Sequence, residues 1–313
     1  MDDRHEARQR GVSRRTYVKM AGAGGAVGIA GLAGCTVDTG GDGGGDGGGG
    51  DGGGDGGGEK TIVAGTAPGF PPFEMKQNNE LVGFDIDLLE AVVSETDYTL
   101  SEWRTFEFNS LIPALQNDRI DVIAAAMTIN EERKRTISFS NPYYNADQAI
   151  LVREGGDFQP QSLDDLSGRK VGAQEGTTGA GLVESRLIEE GKLEQANYNA
   201  YGNYVLAVED LENGNIDAVV LDVPVAQTFA EERNVEVATV VETGERYGFG
   251  VRQNDDDLRS ALNSGLQAVR DSGKYEEIRN KWFGSESEAG TETAGNETAG
   301  NETASGNETT TQS

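Results

Sequence analysis

The sequence predicts an α/β protein built in two lobes, and three features carry that expectation. Short apolar runs alternate with stretches whose apolar residues recur at helical spacing. One of those runs, Ile120 to Ala126, is apolar almost throughout, as strands covered on both faces of a parallel sheet are. The alternation then starts afresh after Arg153, and a last strand and two helices suggest a return to the first lobe.

Thr61 to Ala64 reads as a strand ending at Gly65, and Asp85 to Thr96 as a helix with Ile86, Leu89, Val92 and Val93 on one stripe. Thr99 to Trp103 follows as a strand, Ser110 to Gln116 as a helix, and Ile120 to Ala126 closes the first βαβ series. In the second, Ser162 to Leu166 is a short helix, Lys170 to Ala173 a strand and Thr178 to Glu190 a helix. Val205 to Glu212 (helix) and Ala218 to Leu221 (strand) extend it. Tyr247 to Val251 is the returning strand, and Asp257 to Phe283 carries two helices split near Gly273.

The expected organisation is therefore residues 60–146 and 248–284 as lobe 1, and residues 147–247 as lobe 2. Of the 313 residues, a Gly/Asp run over 36–59 and a Glu/Thr/Asn/Gly/Ser tail over 285–313 lack the apolar content for a core. The run from Gly40 to Gly58 reads as a tether spanning roughly 25 Å.

The balance of 54 acidic to 26 basic residues, a formal charge of −28, repels nucleic acid and anionic lipid. Acidity spread along the whole chain, with Arg commoner than Lys, suggests a protein of a salt-loving organism, where salt screens self-repulsion. One Cys (Cys35) and one His (His5) occur, both ahead of residue 60. Residues 60–284 thus exclude a disulfide, a thiolate nucleophile, a Ser-His-Asp triad and a His-ligated metal. No P-loop motif occurs, and neither cofactor nor metal is expected.

Residues 1–35 read as an address. Ser13-Arg14-Arg15-Thr16 precedes the small apolar stretch Met20 to Gly34, matching a twin-arginine export signal with its pair at Arg14 and Arg15. The stretch is short for a membrane span, which needs roughly 20 apolar residues. Leu32-Ala33-Gly34-Cys35 is similar to a lipobox, which makes Cys35 the expected lipidation site and the outer membrane face the expected location. Asn296, Asn301 and Asn307 each open an Asn-Glu-Thr triplet, the acceptor pattern for N-glycosylation.

Several stretches then share one order: Gly83-Phe84-Asp85-Ile86-Asp87-Leu88, Leu111-Ile112-Pro113-Ala114-Leu115, Met127-Thr128-Ile129, Phe139-Ser140-Asn141-Pro142-Tyr143-Tyr144, Ile216-Asp217-Ala218-Val219 and Lys281-Trp282-Phe283. Together they resemble the polar amino-acid-binding proteins of ABC importers, the glutamine- and histidine-binding kind, over essentially all of residues 60–284. The resemblance implies a type II periplasmic-binding-protein fold, each lobe a mostly parallel sheet flanked by helices, with the lobes hinged by two crossing segments near Ala146 to Arg153 and Glu245 to Val251. It also implies a monomer that closes on an amino acid and delivers it to a membrane permease driven by an ATPase, and no enzymatic activity. A sensor domain serving a receptor and a dehydratase of the same fold are the rival readings.

A free amino acid carries a carboxylate and an ammonium on one carbon, so its site needs a cationic fork and an anionic acceptor. Arg133 follows Asn130, a candidate N-cap, and is assigned the carboxylate. Thr128 and the backbone at Ala126 would add hydrogen bonds. Asp222 ends an apolar strand, the sheet edge where α/β folds bind ligands, and by resemblance pairs with the ammonium. Phe70 and Phe108 resemble the aromatic pair that encloses the ligand. Thr177 and Thr178 open a helix over the carboxylate. Gln174, also expected at the site, and Ala67 depart from relatives that carry a Lys and an acid there. Without an acid at 67 a cationic side chain would be buried unpaired, so a neutral polar or acidic amino acid is expected.

Overall fold

A computed structural model of the protein describes residues 60–284. The expected export signal at Arg14 and Arg15, the lipidation site Cys35, the linker and the sequons at Asn296, Asn301 and Asn307 lie outside those residues.

The molecule is a two-lobed α/β fold with one five-stranded sheet in each lobe. In the first lobe β1 (Lys60–Thr66) is flanked by β4 (Tyr98–Thr105) and β5 (Val122–Ile123), both parallel to it. The series continues through β12 (Gly250–Arg252), antiparallel to both its neighbours, to β6 (Ile137–Phe139). In the second lobe the order is β11 (Val235–Tyr247), β7 (Tyr144–Arg153), β10 (Ala218–Asp222), β8 (Val171–Gln174) and β9 (Tyr198–Tyr201). There β7 is the strand that opposes the rest. Each sheet is thus mixed, and its reversed strand belongs to a segment that passes between the lobes. A small hairpin, β2 (Met75–Gln77) with β3 (Glu80–Val82), stands apart from both sheets.

Helices α1 (Phe84–Ser94), α7 (Asp256–Asp271) and α8 (Lys274–Phe283) pack together on the first lobe, and α2 (Leu111–Gln116) lies over β1 and β5. The stripe Leu258, Leu262, Leu266 and Val269 on α7 is buried against α1, as its helical spacing demands. The first turn of α3 (Glu131–Lys134) is capped by Asn130, whose Oδ1 accepts from the Arg133 amide at 2.8 Å. In the second lobe α4 (Thr178–Val183), α5 (Tyr204–Glu212) and α6 (Val223–Glu232) cover the sheet.

Several elements differ from expectation. The apolar run from Ile120 pairs only as β5, since the chain leaves the ladder after Ile123 and reaches φ 43 at Ala126. Its residues stay buried all the same, which is why the run reads as a strand. The helix expected over 178–190 is α-helical only to Val183 and widens into a π turn over Glu184–Ile188. The hairpin, β6, β7, β9, α6 and β11 were not expected, and the strand expected over Tyr247 to Val251 is divided, Tyr247 ending β11 in one sheet and β12 starting at Gly250 in the other. In β11 buried and exposed residues alternate with Glu and Arg among them, the pattern of an edge strand with one wet face.

Candidate functional site

Between the lobes lies a cleft lined from both sides. All the residues expected to bind ligand line it: Phe70, Phe108, Ala126, Thr128, Arg133, Gln174, Thr177, Thr178 and Asp222, joined by Ala67, Glu74 and Ala125. The first lobe presents the loop after β1, the turn before α2 that carries Phe108, and the β5–α3 segment, while the second presents the C-terminal ends of β8 and β10 and the start of α4.

Arg133 is 8% exposed. Its Nη1 donates to the Thr128 carbonyl at 2.8 Å, its Nη2 crosses the cleft to the Gly176 carbonyl at 3.0 Å, and its guanidinium lies 5.2 Å from the Phe108 ring. Burial lowers its pKa while Glu245 and Asp222 oppose the fall, so the cation persists in a setting ready for an anion. Asp222 caps no helix with its side chain, although it stands at the N-cap position of α6. Its Oδ1 accepts from the Tyr247 hydroxyl instead. Burial pushes the Asp222 carboxyl up to about 7, Glu245 adds to the rise, and the Tyr247 hydroxyl opposes it.

Two expected contributions take a different form. The Ala126 amide donates to Asp85 Oδ2 at 2.7 Å, so that donor is committed within the protein. The Thr177 hydroxyl donates to the Gln174 carbonyl at 2.7 Å, meets the Tyr204 hydroxyl at 3.0 Å and accepts from the Ala180 amide at 3.2 Å. It is a helix cap that shapes the wall, and the expected closure of its hydroxyl over a carboxylate has no spare donor there. Thr178 remains at the cleft, its hydroxyl 3.1 Å from that of Thr128 across the lobes. The Gln174 side chain donates to the Gly202 carbonyl at 3.1 Å.

Glu74 is the residue that sequence reasoning missed. The loop folds back so that the Gly69 and Phe70 amides donate to the Glu74 carbonyl at 3.1 and 3.0 Å, and the side chain turns inward, 1% exposed. Among the described residues its Oε2 has no hydrogen-bond partner. Burial raises its pKa well above the carboxylate range, with Asp85 and Asp222 adding to the rise. A carboxylate set directly behind the aromatic loop Pro68 to Phe73 was the available signal. The neighbouring Asp85 carboxyl, taken up to about 7 by burial, accepts from the Tyr143 hydroxyl at 2.6 Å as well as from Ala126. Phe73 packs in the core, while Phe106 lies under the Arg119 guanidinium.

A cleft between two sheets, lined by one guanidinium and opposed carboxylates, is the geometry of a solute trap. The family of bacterial extracellular solute-binding proteins, family 3, matches residues 62–285. The chain belongs to that family. It is 36% identical over 232 residues, 72% of this chain and 91% of the relative, to the putative ABC transporter arginine-binding protein 2 of Escherichia coli. It is 32% identical over 209 residues, 66% and 74% of the two chains, to the ABC transporter glutamine-binding protein of Bacillus subtilis. Among solved structures, an ancestral arginine-binding protein bound to arginine is 38% identical with a TM-score of 0.67, covering 72% of this chain and 98% of that one. An ancestral arginine-binding protein bound to glutamine is also 38% identical, with a TM-score of 0.66. A third, an ancestral amino-acid-binding protein described as a precursor of cyclohexadienyl dehydratase, is 33% identical with a TM-score of 0.65, covering 71% and 95%.

The relatives of this solute-binding protein are thus amino-acid-binding components of ABC importers, and the family is extracytoplasmic. Among the described residues no helix is long and apolar enough to cross a membrane, and no cluster of His, Cys, Asp or Glu is arranged to hold a metal ion.

Proposed function

We propose that this protein captures a cationic amino acid of the arginine class in the cleft and delivers it to an ABC permease and its ATPase. The observation that carries the reading is the charge balance of the cavity wall. Arg133 is its guanidinium, and Glu74 and Asp222 are buried carboxyls beside it. A ligand carboxylate on Arg133, an ammonium on Asp222 and a cationic side chain toward Glu74 would leave each buried charge paired. An acidic ligand would set like charges together, which costs several kcal/mol at a buried interface.

This reverses the expectation of a neutral polar or acidic ligand. That expectation rested on the absence of an acid at Ala67, and Glu74 supplies an acid to the same cavity from seven residues further on. A neutral amide ligand is the second reading, supported by the glutamine complex of an ancestral arginine-binding protein. It requires the Glu74 carboxyl to stay protonated, in keeping with the burial that raises its pKa.

Phe70 and Phe108 would enclose the aliphatic part of the ligand, and Thr128 and Thr178, whose hydroxyls are engaged with Glu245 and with each other, would form the wall beside its carboxylate end. The protein would act as a monomer, exported through Arg14 and Arg15 and held at the outer membrane face by lipid on Cys35. Its acidity suits a saline exterior. Calorimetric titration of the purified protein with L-arginine, L-histidine, L-glutamine and L-glutamate tests the reading. Tightest binding of a cationic amino acid supports it, and tightest binding of glutamate overturns it.

A further inference from the structure

Glu245 has no part in the roles given above to Arg133 and Asp222, yet it is buried among both. It lies on β11 where the pairing with β7 slips between Val241 and Glu245. Gly244 there has φ 63, and the Thr243 and Gly244 amides both donate to Asp147 Oδ1 at 2.8 Å. An irregularity of this kind re-aims the side chain beside it. Here it coincides with a carboxylate 6% exposed between two exposed neighbours, Gly244 and Arg246.

Three donors converge on that carboxylate. Thr128 Oγ1 donates to its Oε2 at 2.6 Å, while Gln148 Nε2 at 2.8 Å and Thr243 Oγ1 at 3.0 Å donate to its Oε1. Thr128 belongs to the first lobe and its hydroxyl also meets Thr178 of the second. Gln148 is the ladder partner of Asp222 in the second lobe. Among the charged groups around Arg133, Glu245 acts on it most strongly, followed by Asp222. One carboxylate on a strand that crosses between the lobes therefore faces both charges of the site and grips an element of each lobe.

We infer that Glu245 is a positioning residue that couples amino-acid capture to lobe closure, by joining Thr128 and Gln148 in one hydrogen-bonded set on the crossing strand. A carboxylate accepts from all three donors, whereas Gln at this position would turn an amide NH2 toward at least one of them. With Thr128 held by Glu245, its hydroxyl meets Thr178 only when the lobes are together, so ligand contact and closure are satisfied by the same geometry. The inference rests on the amino-acid-binding reading.

The full-length chain tests it, with L-arginine as probe. Affinity is measured by calorimetry for the wild type, Glu245→Gln, Thr128→Val and the double variant, and compaction at saturating ligand by small-angle scattering. Each single change is expected to weaken binding about tenfold, and the double to lose little more than the worse single, as residues of one network do. Glu245→Gln is also expected to compact less at saturation. A purely structural role would lower the melting temperature but leave compaction at saturation as in the wild type. Where Glu245→Gln does not fold, Gln148→Met replaces it in the same cycle with the same expectation. Losses that multiply, or binding by Glu245→Gln within about twofold of the wild type, overturn the coupling. Failure of the wild type to bind any amino acid strikes the proposed function instead.

Discussion

A guanidinium taken out of water is tolerated only where charge and hydrogen bonds compensate it, and Arg133 has the Thr128 and Gly176 carbonyls together with Glu245 and Asp222. Arg133→Ala should abolish amino-acid binding, a loss of about 2–5 kcal/mol by calorimetry, while circular dichroism shows the fold retained. Glu74→Gln should cost a cationic ligand about 1.5–3 kcal/mol and spare L-glutamine, which competition titration would reveal. A further consequence concerns pH. Asp222 and Asp85 hold their protons to about 7 in the folded chain but only to about 4 when unfolded. The folded state therefore binds the extra protons between those values, and its stability without ligand falls as pH rises from 4 through 7. A ligand ammonium favours ionised Asp222, so the thermal shift given by L-arginine should be larger at pH 8 than at pH 5. Arg133 and Asp222 were legible in the sequence because one follows a capping Asn and the other ends an apolar strand. Glu74 was not, because its inward turn depends on a backbone fold-back that no periodicity records.

At the scale of elements, the Glu74 loop is held against α1 by close backbone approach. The Phe84 and Asp85 amides donate to the Pro72 and Phe73 carbonyls, both at 3.0 Å. Gly83, at φ 148, lies so near that a Cβ would come 1.9 Å from the Phe73 carbonyl oxygen. Gly83→Ala should therefore destabilise the protein by about 2 kcal/mol or more in urea unfolding and weaken ligand binding with it. Helices and parallel strands were legible, since α1, α5, α7 and β8 carry their burial in their spacing. The crossing strand β11 was not, because an edge strand with alternating Glu residues looks like any solvated segment. The same strand bears Glu245, so the part of the site hardest to read is the part that ties it to the hinge.

For the whole molecule, a net charge of −28 sets self-repulsion against the compact state. Salt should raise the melting temperature between dilute buffer and molar sodium chloride, most of the gain arriving once the screening length falls to about 3 Å. Cys35→Ser should release the protein from the membrane fraction, and Arg14→Lys with Arg15→Lys should block export, both followed by fractionation and immunoblot. The two-lobed plan was legible because the βα rhythm restarts after Arg153. The direction of the reversed strands was not, since it is set by pairing between segments far apart in the chain. The most direct measurement is a crystal structure of the complex with L-arginine. The ligand carboxylate is predicted on Arg133, its ammonium on Asp222 and its guanidinium on Glu74, and an amino acid seated away from Arg133 and Asp222 would contradict the account.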